Sequence, residues 1–256
     1  MTAPSPQTLW IVRHGQSLGN VARDAAETGA LPMIDIAERD VDVPLSPLGE
    51  RQAEALGAWF AALPAEAVPE VIFCSPYLRA RQSAARVLEA LRAAHDPRLA
   101  LRLDERLREK EFGILDRLTR VGIRASYPDL AEKMSHLGKF YFRPPGGESW
   151  CDVILRLRSF VEMVSREHAG DRVLVVAHQV TVSCLRYLLE GLEEAEILEI
   201  DRRGDVPNCG VTSYEFDPQA GLHGKLVLRL QNFVTPLREA GAPVTASPDQ
   251  PAAAKP

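Results

Sequence analysis

The chain has 256 residues, a net charge of −5 and a pI of about 5.8, with 46% hydrophobic and 25% charged residues. That is enough chain for one large domain with a substantial core, in the composition of a soluble globular protein. The acidic balance argues against nucleic acid as the main partner, and it leaves room for a locally basic pocket that takes a small anion.

No apolar run approaches the roughly 18 residues that a membrane span needs. Residues Met1 to Gln7 lack the basic-then-apolar pattern of a signal peptide, so a cytosolic protein is expected. The four cysteines, Cys74, Cys151, Cys184 and Cys209, form no CxxC pair. They read as reduced, buried thiols rather than a disulfide framework or a metal site.

In chain order, Leu9-Trp10-Ile11-Val12 is the first predicted strand, and it runs straight into Arg13-His14-Gly15. Residues 20–44 show little periodicity and form a connection long enough to be functional. Ser46-Pro47 opens a helix, with serine as N-cap and proline in the first position. Its apolar stripe is Ala53, Leu56, Trp59, Phe60 and Leu63. Glu70 to Cys74 is the second strand, and Ser75-Pro76 repeats the helix start. Arg79 therefore falls in the first turn or so of a helix, whose terminus already favours an anion.

Leu101 to Leu103 is a short strand. Residues 107–145, with Gly, Pro and aromatic residues, are expected to be irregular and to form a lid or inserted segment. Ser149 and Asp152 make a capping box, and the helix behind them carries Val153, Leu157, Phe160, Val161 and Val164 on one face. The next strand, Arg172 to Ala177, ends at His178, and a helix follows from about Thr181 to Leu189. Val211 to Phe216 and Leu226 to Leu230 are late strands. From Pro236 the Pro- and Ala-rich tail is expected to be disordered. The division is one domain over residues 1–235 and a tail over 236–256.

The runs at 9–12 and 173–177 read as strands buried on both faces of a parallel sheet. Such sheets bind ligands outside their carboxyl ends, and both runs deliver a histidine there. Histidine attacks phosphorus through one ring nitrogen when a hydrogen bond at the other fixes the tautomer. Arg13 offers a planar fork for two phosphate oxygens, Gly15 lets the backbone turn tightly, and Ser17 and Asn20 are neutral donors. Arg79 is a second phosphate-binding candidate, whereas Arg81 and Arg86 read as solvated.

Glu109 and Glu111 are both candidates to protonate a leaving oxygen, and the charge pattern does not choose between them. His178 is either a donor to a phosphate oxygen or a structural histidine capping a strand. His95, His136, His168 and His223 read as surface residues. Arg143 to Ser149 is turn-rich, and either closes a pocket wall or leads into the next helix.

In order, these pieces resemble the histidine phosphatase superfamily, the phosphoglycerate mutase-like proteins. The matching residues are Arg13-His14-Gly15 with Ser17 and Asn20, then Leu45-Ser46 with Gly49 and Gln52-Ala53. Ser75-Pro76 follows with Arg79, Gln82 and Ala84, then Leu107-Arg108-Glu109 with Phe112-Gly113, Gly147-Glu148-Ser149, and Val175-Val176-Ala177-His178.

The resemblance implies a three-layer α/β/α sandwich around a mostly parallel central sheet. It makes His14 the residue that becomes phosphorylated and Glu109 the proton donor. Arg13, Arg79 and His178 become the phosphate pocket, with Ser17, Asn20 and Gln179 beside it. It implies no metal and no cofactor, because the arginines and His178 supply the positive charge. The implied partner is a small phosphorylated metabolite, with no nucleic acid and no membrane. A homodimer is compatible with the resemblance, although no residue pattern specifies an interface.

Two positions depart from the family pattern. Gln16 stands where glutamate often follows, and Gln179 where glycine often follows the second histidine. A metal-independent phosphatase acting on small monoesters is the first expectation. A phosphoglycerate mutase is the second, because Arg117-Leu118-Thr119-Arg120 lacks the paired arginines and proline-rich turn usual in the mutases. A non-catalytic binding protein on the same fold is the third.

Overall fold

The computed structural model describes residues 4–246. Six strands form one sheet in the order β3-β2-β4-β1-β5-β6. They are β1 (Thr8–Arg13), β2 (Val71–Cys74), β3 (Leu101–Leu103), β4 (Arg172–Ala177), β5 (Val211–Asp217) and β6 (Lys225–Phe233). The first four run parallel, and β5 and β6 close one edge antiparallel. Every residue of Leu9–Val12 and Val173–Ala177 is buried, as a strand covered on both faces requires.

Alternation along the strands builds two cores. Leu9, Ile11, Val173 and Val175 pack with α6 (Trp150–Glu167), α7 (Gln179–Glu190) and Ile197 of α8 (Glu194–Arg203). Trp10, Val12, Leu174 and Val176 pack on the other face with α2 (Pro47–Ala61), α3 (Leu78–Ala94) and Leu237 of α9 (Thr235–Glu239). Helices on both faces make the expected three layers. Ser46 caps α2 by accepting from the Gly49 amide, and Ser149 with Asp152 caps α6 in a capping box.

Three stretches differ from the sequence reading. Residues 20–44 are not irregular throughout, because α1 spans Leu18–Thr28. Its apolar residues Leu18, Val21, Ala22 and Ala25 recur at helical spacing, but Leu18 and Val21 are exposed and the buried positions are Asn20, Arg23 and Ala26. Residues 107–145 are largely helical, with α4 (Arg120–Ser126) and α5 (Pro128–Tyr141), the latter broken at Gly138 with φ +76°. Residues 236–246 of the tail are packed against the domain. Leu237 is fully buried, and the Gln52 side-chain amide donates to the Pro243 carbonyl (2.8 Å) and to Thr245 Oγ1 (3.0 Å). The rest of the tail, residues 247–256, lies outside the described residues. No helix among the described residues is long and apolar enough to cross a membrane.

The register positions the site. β1 and β4 are adjacent and parallel, with Arg13 opposite Ala177. The next residues, His14 and His178, therefore leave the sheet side by side, and the His14 amide donates to the Ala177 carbonyl at 3.0 Å. On the other side of β4, Cys74 lies opposite Val176, which brings Ser75 to the same edge.

Candidate active site

His14 and His178 are both fully buried, with ring centroids 5.1 Å apart. His14 Nδ1 lies 2.6 Å from the carbonyl of Gly15. A carbonyl only accepts, so Nδ1 carries the proton and Nε2 keeps its lone pair. Arg79 Nε donates to that Nε2 at 3.3 Å. The turn that makes this possible is packed tightly. A Cβ on Gly15 would run into the Gly49 carbonyl, and one on Gly49 into the Gln16 carbonyl. Ser83 Oγ accepts from the Gly15 amide at 3.0 Å, and Asn208 Nδ2 donates to the His14 carbonyl at 3.0 Å. An imidazole tied at Nδ1 to a carbonyl, with its Nε2 lone pair against an arginine and its backbone pinned by Ser83 and Asn208, suits a nucleophile.

Arg13 is fully buried and donates to the Val206 carbonyl at 2.6 Å. Arg79 sits in the first turn of α3, as expected, and is 2% exposed. Its Nη1 donates to the Asp40 carbonyl at 2.6 Å, and its guanidinium meets the Asp40 carboxylate at 3.0 and 3.3 Å. Ser75 does not cap α3. Its hydroxyl lies 2.7 Å from His178 Nε2, and Tyr77 takes the cap position.

The structure separates the two glutamates. Glu109 is fully buried, and its carboxylate accepts from the Lys110 amide (2.8 Å) and from the Val180 amide (3.2 Å) at the start of α7. Glu111 is half-exposed and accepts from the Tyr77 hydroxyl at 2.8 Å. Behind Glu109, the buried Lys110 ammonium lies 4.4 Å from the Phe112 ring centroid. Burial pulls its pKa down to about 8, against the opposing pull of Glu109 and Glu148.

An unfolded lysine titrates near 10.4. Below about pH 8 the fold thus carries a buried ammonium at full cost, and the cost vanishes as pH rises through the window up to 10.4. Lys110→Met is expected to be the more stable protein at pH 7 by up to about 3 kcal/mol, with the gap closing towards pH 10. Urea unfolding at both pH values measures this, and a gap that does not narrow would contradict it.

Beside Arg79 opens a cleft to solvent. Ile34, Ile36 and Phe112 give it an apolar wall, and the charged residues Glu38, Asp40, Asp116, Arg23 and Arg117 line it as well. Burial, with repulsion from Asp40, holds the Asp116 carboxyl above its usual range. Ser17 and Asn20 line the same cleft, and their side chains are joined as the capping box of α1. Gln179 begins α7 and turns its amide to Asp205 (2.7 Å), leaving its buried Oε1 without a hydrogen bond.

His14, Arg79, His178 and Ser75 therefore come together as a contact network, with Arg13 adjoining in the chain and Glu109 tied to the helix that His178 caps. Sequence reasoning missed Asp40, Ser83 and Asn208, none of which carries a local signal. It also misplaced His168, which is 6% exposed, lies 2.8 Å from Asp171 and contacts Arg102 at 3.2 Å. Burial raises the thiol pKa of Cys74, Cys184 and Cys209, and all four cysteines are free. Among the described residues, no group of three or more His, Cys, Asp or Glu is placed to hold a metal ion.

The model of the histidine phosphatase superfamily (branch 1) matches residues 9–225. The chain is 33% identical over 202 residues to the 2,3-bisphosphoglycerate-dependent phosphoglycerate mutase of Methylobacterium radiotolerans, covering 78% of this chain and 86% of that protein. It is 34% identical over 197 residues to 2,3-bisphosphoglycerate-dependent phosphoglycerate mutase 2 of Gloeobacter violaceus, covering 75% and 81%. Among solved structures, it superposes on a mycobacterial glucosyl-3-phosphoglycerate phosphatase in complex with inorganic phosphate. There the TM-score is 0.65 at 26% identity, covering 89% of this chain and 97% of that one.

Proposed function

The chain belongs to the histidine phosphatase superfamily, and from that membership we propose that it is a metal-independent phosphatase of small phosphate monoesters. The observation that carries this reading is the tautomer of His14. Its Nδ1 proton is committed to the Gly15 carbonyl, and its Nε2 lone pair lies against Arg79.

In the first step Nε2 forms a bond to phosphorus as the ester P–O bond breaks. The leaving oxygen takes its electron pair and a proton from Glu109. Arg13, Arg79 and His178 hold the phosphoryl oxygens through the transfer. In the second step Glu109 takes a proton from water, whose oxygen attacks phosphorus. The N–P bond breaks back onto Nε2, and inorganic phosphate leaves.

The mutase reading is favoured by the names of the relatives that are 33% and 34% identical. What supports the phosphatase reading over it is that Arg117-Leu118-Thr119-Arg120 lacks the paired arginines and proline-rich turn usual in the mutases.

The test is phosphate release from p-nitrophenyl phosphate and from monoesters of uncharged alcohols, with and without EDTA, beside isomerisation of 3-phosphoglycerate with and without 2,3-bisphosphoglycerate. Hydrolysis that survives EDTA is expected. Isomerisation that requires the bisphosphate and outruns hydrolysis would overturn the phosphatase reading in favour of the mutase.

A further inference from the structure

Glu109 sits on a segment with little regular structure of its own, between a 3₁₀ turn at Glu105–Leu107 and another at Gly113–Leu115. Something outside the segment must fix its backbone. That something is Arg156 on α6, whose side chain is 11% exposed. Its Nη1 donates to the Arg106 carbonyl, and its Nη2 donates to the Glu109 carbonyl at 3.2 Å. Nε and Nη2 also donate to the two carboxylate oxygens of Glu148, at 2.9 and 3.1 Å.

Glu148 completes the clamp from the other side. It accepts from Arg108 Nη2 at 2.8 Å and from the Glu111 amide at 3.1 Å, and its own amide donates to the Glu111 carbonyl at 2.9 Å. Residues 106, 108, 109 and 111 are thus each tied to one ion pair. Arg156 in particular lowers the Glu148 pKa by hydrogen bonding and charge, against its burial, so the pair stays ionised.

We infer that Arg156, acting with Glu148, is a positioning residue for the proton donor. It holds the Glu109 backbone so that the carboxylate faces the Val180 amide beside His178, without touching substrate itself. The inference rests on the reading of Glu109 given above. Only arginine can do this from one position, because the task uses three nitrogens in a fixed fork, and lysine has a single nitrogen. An acid displaced by about 1 Å loses on the order of 10²-fold in rate.

A proton donor matters when the leaving group is poor and little when it is good. Phenyl phosphate and p-nitrophenyl phosphate have nearly the same shape, but only nitrophenolate departs readily without a proton. Arg156→Met is expected to lower kcat/KM on phenyl phosphate, the constant that reports the phosphorylation step alone, by about 10- to 100-fold. On p-nitrophenyl phosphate the loss of kcat/KM should stay within about 3-fold, whereas kcat, which includes the water step that Glu109 also serves, falls on both esters. Arg156→Lys should recover little of the loss. Glu148→Gln keeps the shape of the clamp, so it serves if Arg156→Met does not fold, and it is expected to show the same bias in smaller measure.

Glu109→Gln is the reference. If it separates the two esters in kcat/KM and the Arg156 and Glu148 variants lower that constant on both equally or not at all, the positioning role is wrong. If Glu109→Gln itself does not separate them, the proton-donor reading fails and this inference fails with it.

Discussion

The His14→Ala protein is expected to lose phosphate release by at least about 10⁴-fold, because in the proposed mechanism it lacks the covalent nucleophile and keeps only binding and electrostatics. No neighbour can replace it. His178 is the nearest imidazole, but its Nε2 lies 2.7 Å from the Ser75 hydroxyl, and its ring packs 5.1 Å from that of Tyr77. The wild-type protein, quenched during turnover, should carry an acid-labile and base-stable phosphoryl group, as a phosphoramidate does, and the variant should carry none. Fold loss is the competing cause, since His14 is fully buried. Thermal unfolding and the affinity for inorganic phosphate separate the two: a folded variant that binds phosphate and does not turn over has lost a nucleophile. Hydrolysis at the wild-type rate would sink the phosphohistidine mechanism.

The sheet was legible in the sequence because its strands are apolar on both faces, and the runs at 9–12 and 173–177 admit few other settings. The two histidines were legible for the same reason: the residue after a buried strand has to be at the sheet edge. The capping serines Ser46 and Ser149 announced their helices. What stayed hidden is the part of the fold turned towards the site. Helix α1 buries Asn20 and Arg23 and leaves Leu18 and Val21 exposed, so its apolar spacing does not mark the face it turns inward. In α4 and α5, Gly122, Pro128 and Gly138 break the periodicity.

Ser75-Pro76 had the form of a helix start. In the structure, however, the serine hydroxyl serves His178, whose position is fixed by a strand about a hundred residues away. Residues 236–246 are held for a similar reason. Leu237 and two hydrogen bonds from Gln52 outweigh a Pro- and Ala-rich composition. Long-range partners of this kind leave no local trace.

Replacing Arg79 should have the next largest effect. A single arginine on a transferring phosphoryl group contributes on the order of 10³- to 10⁵-fold, and in the proposed mechanism Arg79 has two tasks, since its Nε also donates to His14 Nε2 at 3.3 Å. Arg79→Lys keeps the charge but loses the fork and the Nε contact, so kcat/KM is expected to fall by about 10³-fold even so.

The position of Asp40 sets the direction of a companion result. Its carboxylate meets the Arg79 guanidinium at 3.0 and 3.3 Å, and its carbonyl takes Nη1 at 2.6 Å. Phosphate oxygens must take over part of that hydrogen bonding to be held. Asp40→Asn removes the competing charge and keeps the shape, so inorganic phosphate should inhibit the variant about 2- to 5-fold more strongly, the scale of a partly exposed ion pair. In Arg79→Lys the same Asp40 change should have less effect, because the two residues act through one contact and their effects are not additive. Full additivity across that double-mutant cycle would mean that Asp40 and the incoming phosphate do not share Arg79, and the phosphate would then have to be held mainly by Arg13 and His178.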